Sequence, residues 1–183
     1  MKKIQVPTKE QVDAKAQQIF GQLEQNLGMV PNLYATIGYS SNVLEGFLGF
    51  SQAVAQSSFT KKEGEAIKLA VSETNQCQYC TAAHTALAKM NGFSEQDTID
   101  IRKGTIADER LNVLVNTAHE ITKSRGRISD ETKERFFEQG FDEKALVDLV
   151  ALVNLTGFTN FLHNATQIPV DFPAVPAINH QAA

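Results

Sequence analysis

From Thr8 to Leu27 the apolar residues Val12, Ala16, Ile19, Leu23 and Leu27 recur at steps of three and four, and similar spacing returns along most of the 183-residue chain. A period near 3.6 gathers such residues on one stripe of a helix, whereas a half-buried strand needs strict alternation, so the pattern predicts an all-α protein. Thr8 reads as the N-cap of this first helix and Gly28 as its stop. Pro31 can open a short helical segment through Tyr34 and Ile37, and Ser40 or Ser41 then caps a helix carrying Val43, Leu44, Phe47, Leu48 and Val54. Thr60-Lys61-Lys62-Glu63 has the form of a capping box, which starts a helix at about Lys61 that buries Ala66, Ile67, Ala70 and Val71. Thr74-Asn75 reads as the cap of a further helix that holds Cys77 in its first turn and stops at Gly92. Ser94-Glu95-Gln96-Asp97 opens another, and helices follow at about 107–124, 129–139 and 142–165.

A chain of this size fits one domain with a substantial core, here 1–183, with a reactive core at about 40–92. Sliding the sequence by 81 residues sets EAIKLAVSETNQCQYCTAAH over LVDLVALVNLTGFTNFLHNA and suggests an internal helical-hairpin repeat, with Phe158 and Phe161 at the places of Cys77 and Cys80. Those two phenylalanines read as core or interface, or as the lining of a pocket for an apolar peroxide. Pro169, Pro173 and Pro176 mark the stretch 168–183 as an extended C-terminal arm that can lie on a neighbour.

The formal net charge is -4, and no Lys/Arg run is longer than two, so the chain offers no basic surface to neutralise phosphates and nucleic acid is not expected as a partner. MKKIQVPTKEQVDAK has no apolar stretch behind its lysines, and no uncharged apolar run approaches the ~20 residues that span a bilayer. A cytoplasmic protein without a membrane partner is the expectation.

Cys77 and Cys80, the two cysteines of the chain, stand three apart in NQCQYCTAAH, and His84 follows one turn later. A disulfide across so small a loop removes little entropy from the unfolded chain, so pairing here would serve chemistry rather than stability. On a helix the three side chains share a face, and Cα atoms three apart lie roughly 5 Å from each other, within disulfide reach. A helix start and a nearby imidazole both favour thiolate. Cys80 can then attack the oxygen–oxygen bond of a peroxide to give a sulfenic acid, and Cys77 can condense with it. A zinc site on this motif needs two more good ligands, usually a second CxxC or paired histidines; no further cysteine is present, and although His84 and one glutamate could complete a site, dedicated zinc proteins rarely take that form, so no metal or cofactor is expected. Glu63, Glu65 and Glu73 are each placed to orient His84 or to be surface charges, and spacing does not choose among them. Tyr79, between the cysteines, can donate to a substrate oxygen or pack half-buried. His119, His163 and His180 lack a partner pattern and read as structural or exposed.

Glu65, a 12-residue step to Cys77-Gln78-Tyr79-Cys80, and His84 together resemble the reactive signature of the alkyl hydroperoxidase D-like proteins of the carboxymuconolactone decarboxylase superfamily. The likeness extends more loosely over about residues 10–170, including VPNLYATIGYSSNVLEGFLGF, in the manner of peroxidase-related members. It implies an all-helical homo-oligomer, a trimer or hexamer, acting as a cofactor-free thiol peroxidase on a hydroperoxide and reset by a dithiol or protein reductant. Carried over, Cys80 becomes the peroxidatic cysteine, Cys77 the resolving one, and Glu65 with His84 the proton relay. Tyr79 stands where some members carry a second histidine. The alternatives are a decarboxylase-like enzyme on a small lactone or acid, or a redox-sensing partner protein.

Overall fold

The computed structural model describes residues 4–178, and among these all regular structure is helical. Nine α-helices follow in order: α1 (Ala14–Leu27), α2 (Asn32–Ile37), α3 (Ser41–Val54), α4 (Lys61–Thr74), α5 (Gln78–Met90), α6 (Glu95–Lys103), α7 (Glu109–Lys123), α8 (Asp130–Glu138) and α9 (Glu143–Thr166). The start differs from expectation. Thr8 caps only a single 3₁₀ turn at Lys9–Gln11, and Asp13 caps α1 by accepting from the Ala16 amide at 2.8 Å. Gly28 ends α1 in the left-handed conformation at φ 76°, which costs a glycine little. At the end of α2, Gly38 is required for space, because a Cβ there would come within 2.4 Å of the Phe20 ring.

Helix α4 is the hub. Its capping box forms as the sequence dictates, with the Glu63 amide donating to the Thr60 hydroxyl at 3.2 Å and the Thr60 amide to the Glu63 carboxylate at 2.9 Å. Ala66, Ile67, Leu69, Ala70 and Val71 are all at 0% exposure, so this helix buries most of its circumference, packed by α5, α6, α7 and α9. Ile101, Leu114, Val115, Phe136 and Leu149 complete the main core. A second cluster, Val12, Ala16, Phe20, Ala35, Ile37 and Leu44, joins α1, α2 and α3. A third contains Leu33, Cys77, Tyr79, Cys80 and Ile168.

The 81-residue slide pairs the α4–turn–α5 hairpin with a segment that runs without interruption as α9. By length and composition α9 is apolar enough to cross a membrane, a stretch the sequence reading did not single out; half of it is buried inside the protein, where it packs on α4, α3 and α7. Phe158 and Phe161 do not enter the core: they are 38% and 63% exposed, because they fall on the side of α9 turned away from α4. The expected C-terminal arm is extended over its described part and lies along its own chain. Ile168 is buried, the Asn32 amide donates to Asp171 at 2.7 Å, and Arg102 donates to the Pro176 carbonyl at 2.9 Å.

Candidate functional site

The turn between α4 and α5 sets the site. Asn75 does not cap α5 as the sequence suggested. It ends α4, and its side-chain amide donates to Asn160 on α9 at 2.9 Å, a partner 85 residues away. Gln76 then takes the left-handed region at φ 52°, and Cys77 itself becomes the N-cap of α5. Its sulfur accepts from the Cys80 amide at 3.2 Å, satisfying one of the free donors at the helix start. Cys77 thus sits just before the helix rather than in its first turn, and Cys80 lies in that turn with His84 one turn on.

Both thiols are reduced and buried, Cys77 at 0% and Cys80 at 2% exposure. Their environments separate them. The hydrogen bond toward Cys80, and then burial, push the Cys77 thiol up and keep it protonated. Cys80 moves the other way: the Cys77 hydrogen bond favours its thiolate, and against the cost of burial the charge on His84 and the hydrogen bonds with Asn160 and Thr159 act in the same direction. The Cys80 sulfur lies 3.7 Å from the Thr159 hydroxyl. Behind the thiols Asn160, fully buried, donates to the Ser72 hydroxyl at 3.2 Å, and at the surface Asn164 donates to the Asn75 carbonyl at 2.7 Å.

Of the three glutamates left open by spacing, Glu65 meets His84. Its carboxylate is 2.9 Å from the imidazole Nδ1, with the Lys68 ammonium 2.8 Å from the other oxygen. Burial alone pushes the Glu65 carboxyl up, but the charge and hydrogen bond of His84, and then those of Lys68, bring it down to about 2. Glu63 belongs to the α4 cap and Glu73 to an ion pair with Arg102 at 2.7 Å. Cys77, Cys80, His84 and Glu65 therefore come from one hairpin, α4–turn–α5, the two helices held side by side by the core.

Tyr79 is neither half-buried nor facing a substrate space. It is 2% exposed, its ring lies against His163 and Phe172, and its hydroxyl accepts from the Leu33 amide at 3.3 Å. His163 is buried and donates to the Ile168 carbonyl at 3.2 Å; burial pushes its pKa down. His119 contacts the Thr74 hydroxyl at 2.5 Å. His180 lies outside the described residues. Among the described residues no three His, Cys, Asp or Glu side chains gather as metal ligands. Sequence reasoning missed Lys68, Thr159 and Asn160. The available signal was weak: polar residues inside apolar helices, with partners 79 and 88 positions away for the last two.

Residues 42–134 match the carboxymuconolactone decarboxylase family. The uncharacterized protein YdfG of Bacillus subtilis (strain 168) is 32% identical over 103 residues, 54% of this chain and 69% of that protein. Two crystal structures of uncharacterized peroxidase-related proteins share the fold. The one from Silicibacter sp. TM1040 has 24% identity and a TM-score of 0.76, over 88% of this chain and 87% of that one. The other, from Ralstonia eutropha JMP134 and described as an alkylhydroperoxidase AhpD core, has 22% identity and a TM-score of 0.78, over 87% of each chain.

Proposed function

The chain belongs to the carboxymuconolactone decarboxylase family, and we propose that within it the protein is a thiol peroxidase that reduces hydroperoxides by a Cys77–Cys80 dithiol/disulfide cycle. The observation that carries this reading is the opposite bias of two adjacent thiols, Cys80 toward thiolate and Cys77 toward thiol, beside a His84–Glu65 hydrogen bond of 2.9 Å. A nucleophile must be ionised and its resolving partner need not be, so this division suits the two steps.

In the first step the Cys80 sulfur attacks the outer peroxide oxygen: an S–O bond forms, the O–O bond breaks, and the expelled alkoxide takes a proton from His84, whose ring Glu65 holds in place. In the second, the Cys77 sulfur attacks the sulfenic sulfur, the S–S bond forms, and hydroxide leaves as water with the Cys77 proton. An external dithiol returns both electrons. Neither the relay nor the cysteines call for a bound metal or cofactor. The exposed apolar side chains Val43, Phe50, Val150 and Phe161 on α3 and α9 are the face on which we place the contacts of a homo-oligomer. Cys80→Ser is expected to abolish hydroperoxide consumption in an assay with a dithiol reductant. Full activity in that variant would reject the assignment and favour decarboxylase-like chemistry on the same scaffold.

A further inference from the structure

Tyr34, on α2, has no part in the relay above, yet it stands where the redox cluster and the α1–α3 cluster meet. It packs against the group that contains Cys77 and Cys80 on one side, and against the group that contains Phe20 and Leu44 on the other. Its ring is held edge-on to Phe47 with centroids 5.7 Å apart, so its direction is fixed by packing. Buried phenols ordinarily find a hydrogen-bond partner. Tyr79 does, and is sealed at 2% exposure. Tyr34 is half-buried, and its hydroxyl makes no hydrogen bond among the described residues. Burial, and then the negative charges of Glu65 and Cys80, push its pKa up, so the phenol stays a protonated donor. The thiols themselves are closed off, while the His84 side chain is 17% exposed.

We propose that Tyr34 is a catalytic residue of the thiol site, its hydroxyl donating a hydrogen bond to the peroxide oxygen that leaves when Cys80 attacks. The role rests on the peroxidase reading. As the O–O bond breaks, the inner oxygen gains the electron pair and becomes an alkoxide; Tyr34 holds that charge while the proton comes from His84, and Tyr34 itself stays protonated. A fixed donor aimed at an oxygen whose charge grows in the transition state acts on rate more than on binding. Tyr34→Phe removes only an oxygen without a protein partner and keeps the contact with Phe47.

The test compares two substrates with different leaving oxygens. tert-Butyl hydroperoxide expels a strongly basic alkoxide and peracetic acid a weakly basic acetate, so a donor to the leaving oxygen matters far more for the first. In Tyr34→Phe, kcat/KM for tert-butyl hydroperoxide is expected to fall by about a hundredfold, the size typical of one lost oxyanion donor, and that for peracetic acid by much less. Equal losses on both substrates, no loss on either, or slower alkylation of Cys80 by iodoacetamide in the variant would each overturn the role, since each points to packing or a disturbed nucleophile. If the wild-type protein consumes neither substrate, the peroxidase reading itself falls and takes this role with it. That failure appears in the wild type and is distinct from one confined to the variant.

Discussion

Helix α4 carries two buried carboxylates, Glu65 and Glu73, each 10% exposed in its side chain and each engaged with a basic group on another helix. Glu65 meets His84 on α5, and Glu73 meets Arg102 on α6. The partners set the difference. Imidazole can give up its proton near neutral pH, whereas guanidinium in a protein does not. One pair can therefore take part in proton transfer and the other can only hold. Arg102 also donates to the Pro176 carbonyl, so the second pair ties the C-terminal arm to the hub. Glu65 faces a half-open site shared with Lys68, at 28% side-chain exposure, while Arg102 is 4% exposed. In the proposed mechanism the same side chain on the same helix thus serves chemistry at one end, while at the other it holds the architecture.

The contrast can be broken from either end. The largest effect is expected at the architectural pair: Glu73→Ala leaves Arg102 buried without this counter-charge, which should lower the unfolding free energy by about 3–5 kcal/mol, with activity per folded molecule retained. Chemical denaturation measures the loss, and combining Glu73→Leu with Arg102→Met should recover most of it. Next comes Glu65→Gln, which keeps shape but not charge. It should reduce kcat/KM for a hydroperoxide by about a hundredfold, or ~2.7 kcal/mol, with a smaller change in stability.

Smallest is Lys68→Met, expected to change stability by less than ~1 kcal/mol because its ion pair is partly solvated. Its signature lies in the pH dependence. The folded pKa of Glu65, about 2, is below its unfolded value of ~4.3. The unfolded chain therefore binds this proton more tightly. The Glu65 contribution is complete above the unfolded value and is lost as pH falls toward 2. Without Lys68 the Glu65 pKa should rise and this window should narrow, so urea midpoints taken from pH 5 to pH 2 should show a shallower acid limb. An unchanged limb would mean that Lys68 does not act on Glu65.

What could be read from the sequence was what depends on near neighbours. Thr60 and Glu63 are three apart, so their box is written in the chain, and the apolar spacing of Ala66, Ile67, Ala70 and Val71 needs only the helical period. Asn75 shows the limit. A cap residue by type, it is drawn off by Asn160 on α9, and that leaves the cap to Cys77. Choosing Glu65 over Glu73 needed either the family likeness or the fold, because Arg102, 29 positions from Glu73, gives no local sign of claiming it. Of the two tyrosines, Tyr79 drew notice by standing between the cysteines, but packing turns it toward Leu33 and Phe172. Tyr34, 46 positions before Cys80, packs against the cluster that holds the thiols only through the placement of α2.

The sulfur of Cys77 has two duties, since it caps α5 and it is the atom proposed to close the disulfide. While it bonds to the Cys80 sulfur, its lone pairs are less available to the Cys80 amide. Oxidation would therefore loosen the first turn of α5, and that amide should exchange its hydrogen faster in the oxidised protein than in the reduced one. The helix end becomes a built-in gauge of redox state. Replacements at this position must be chosen accordingly: serine keeps a cap and removes the thiol, whereas alanine removes both and confuses a frayed helix with lost chemistry.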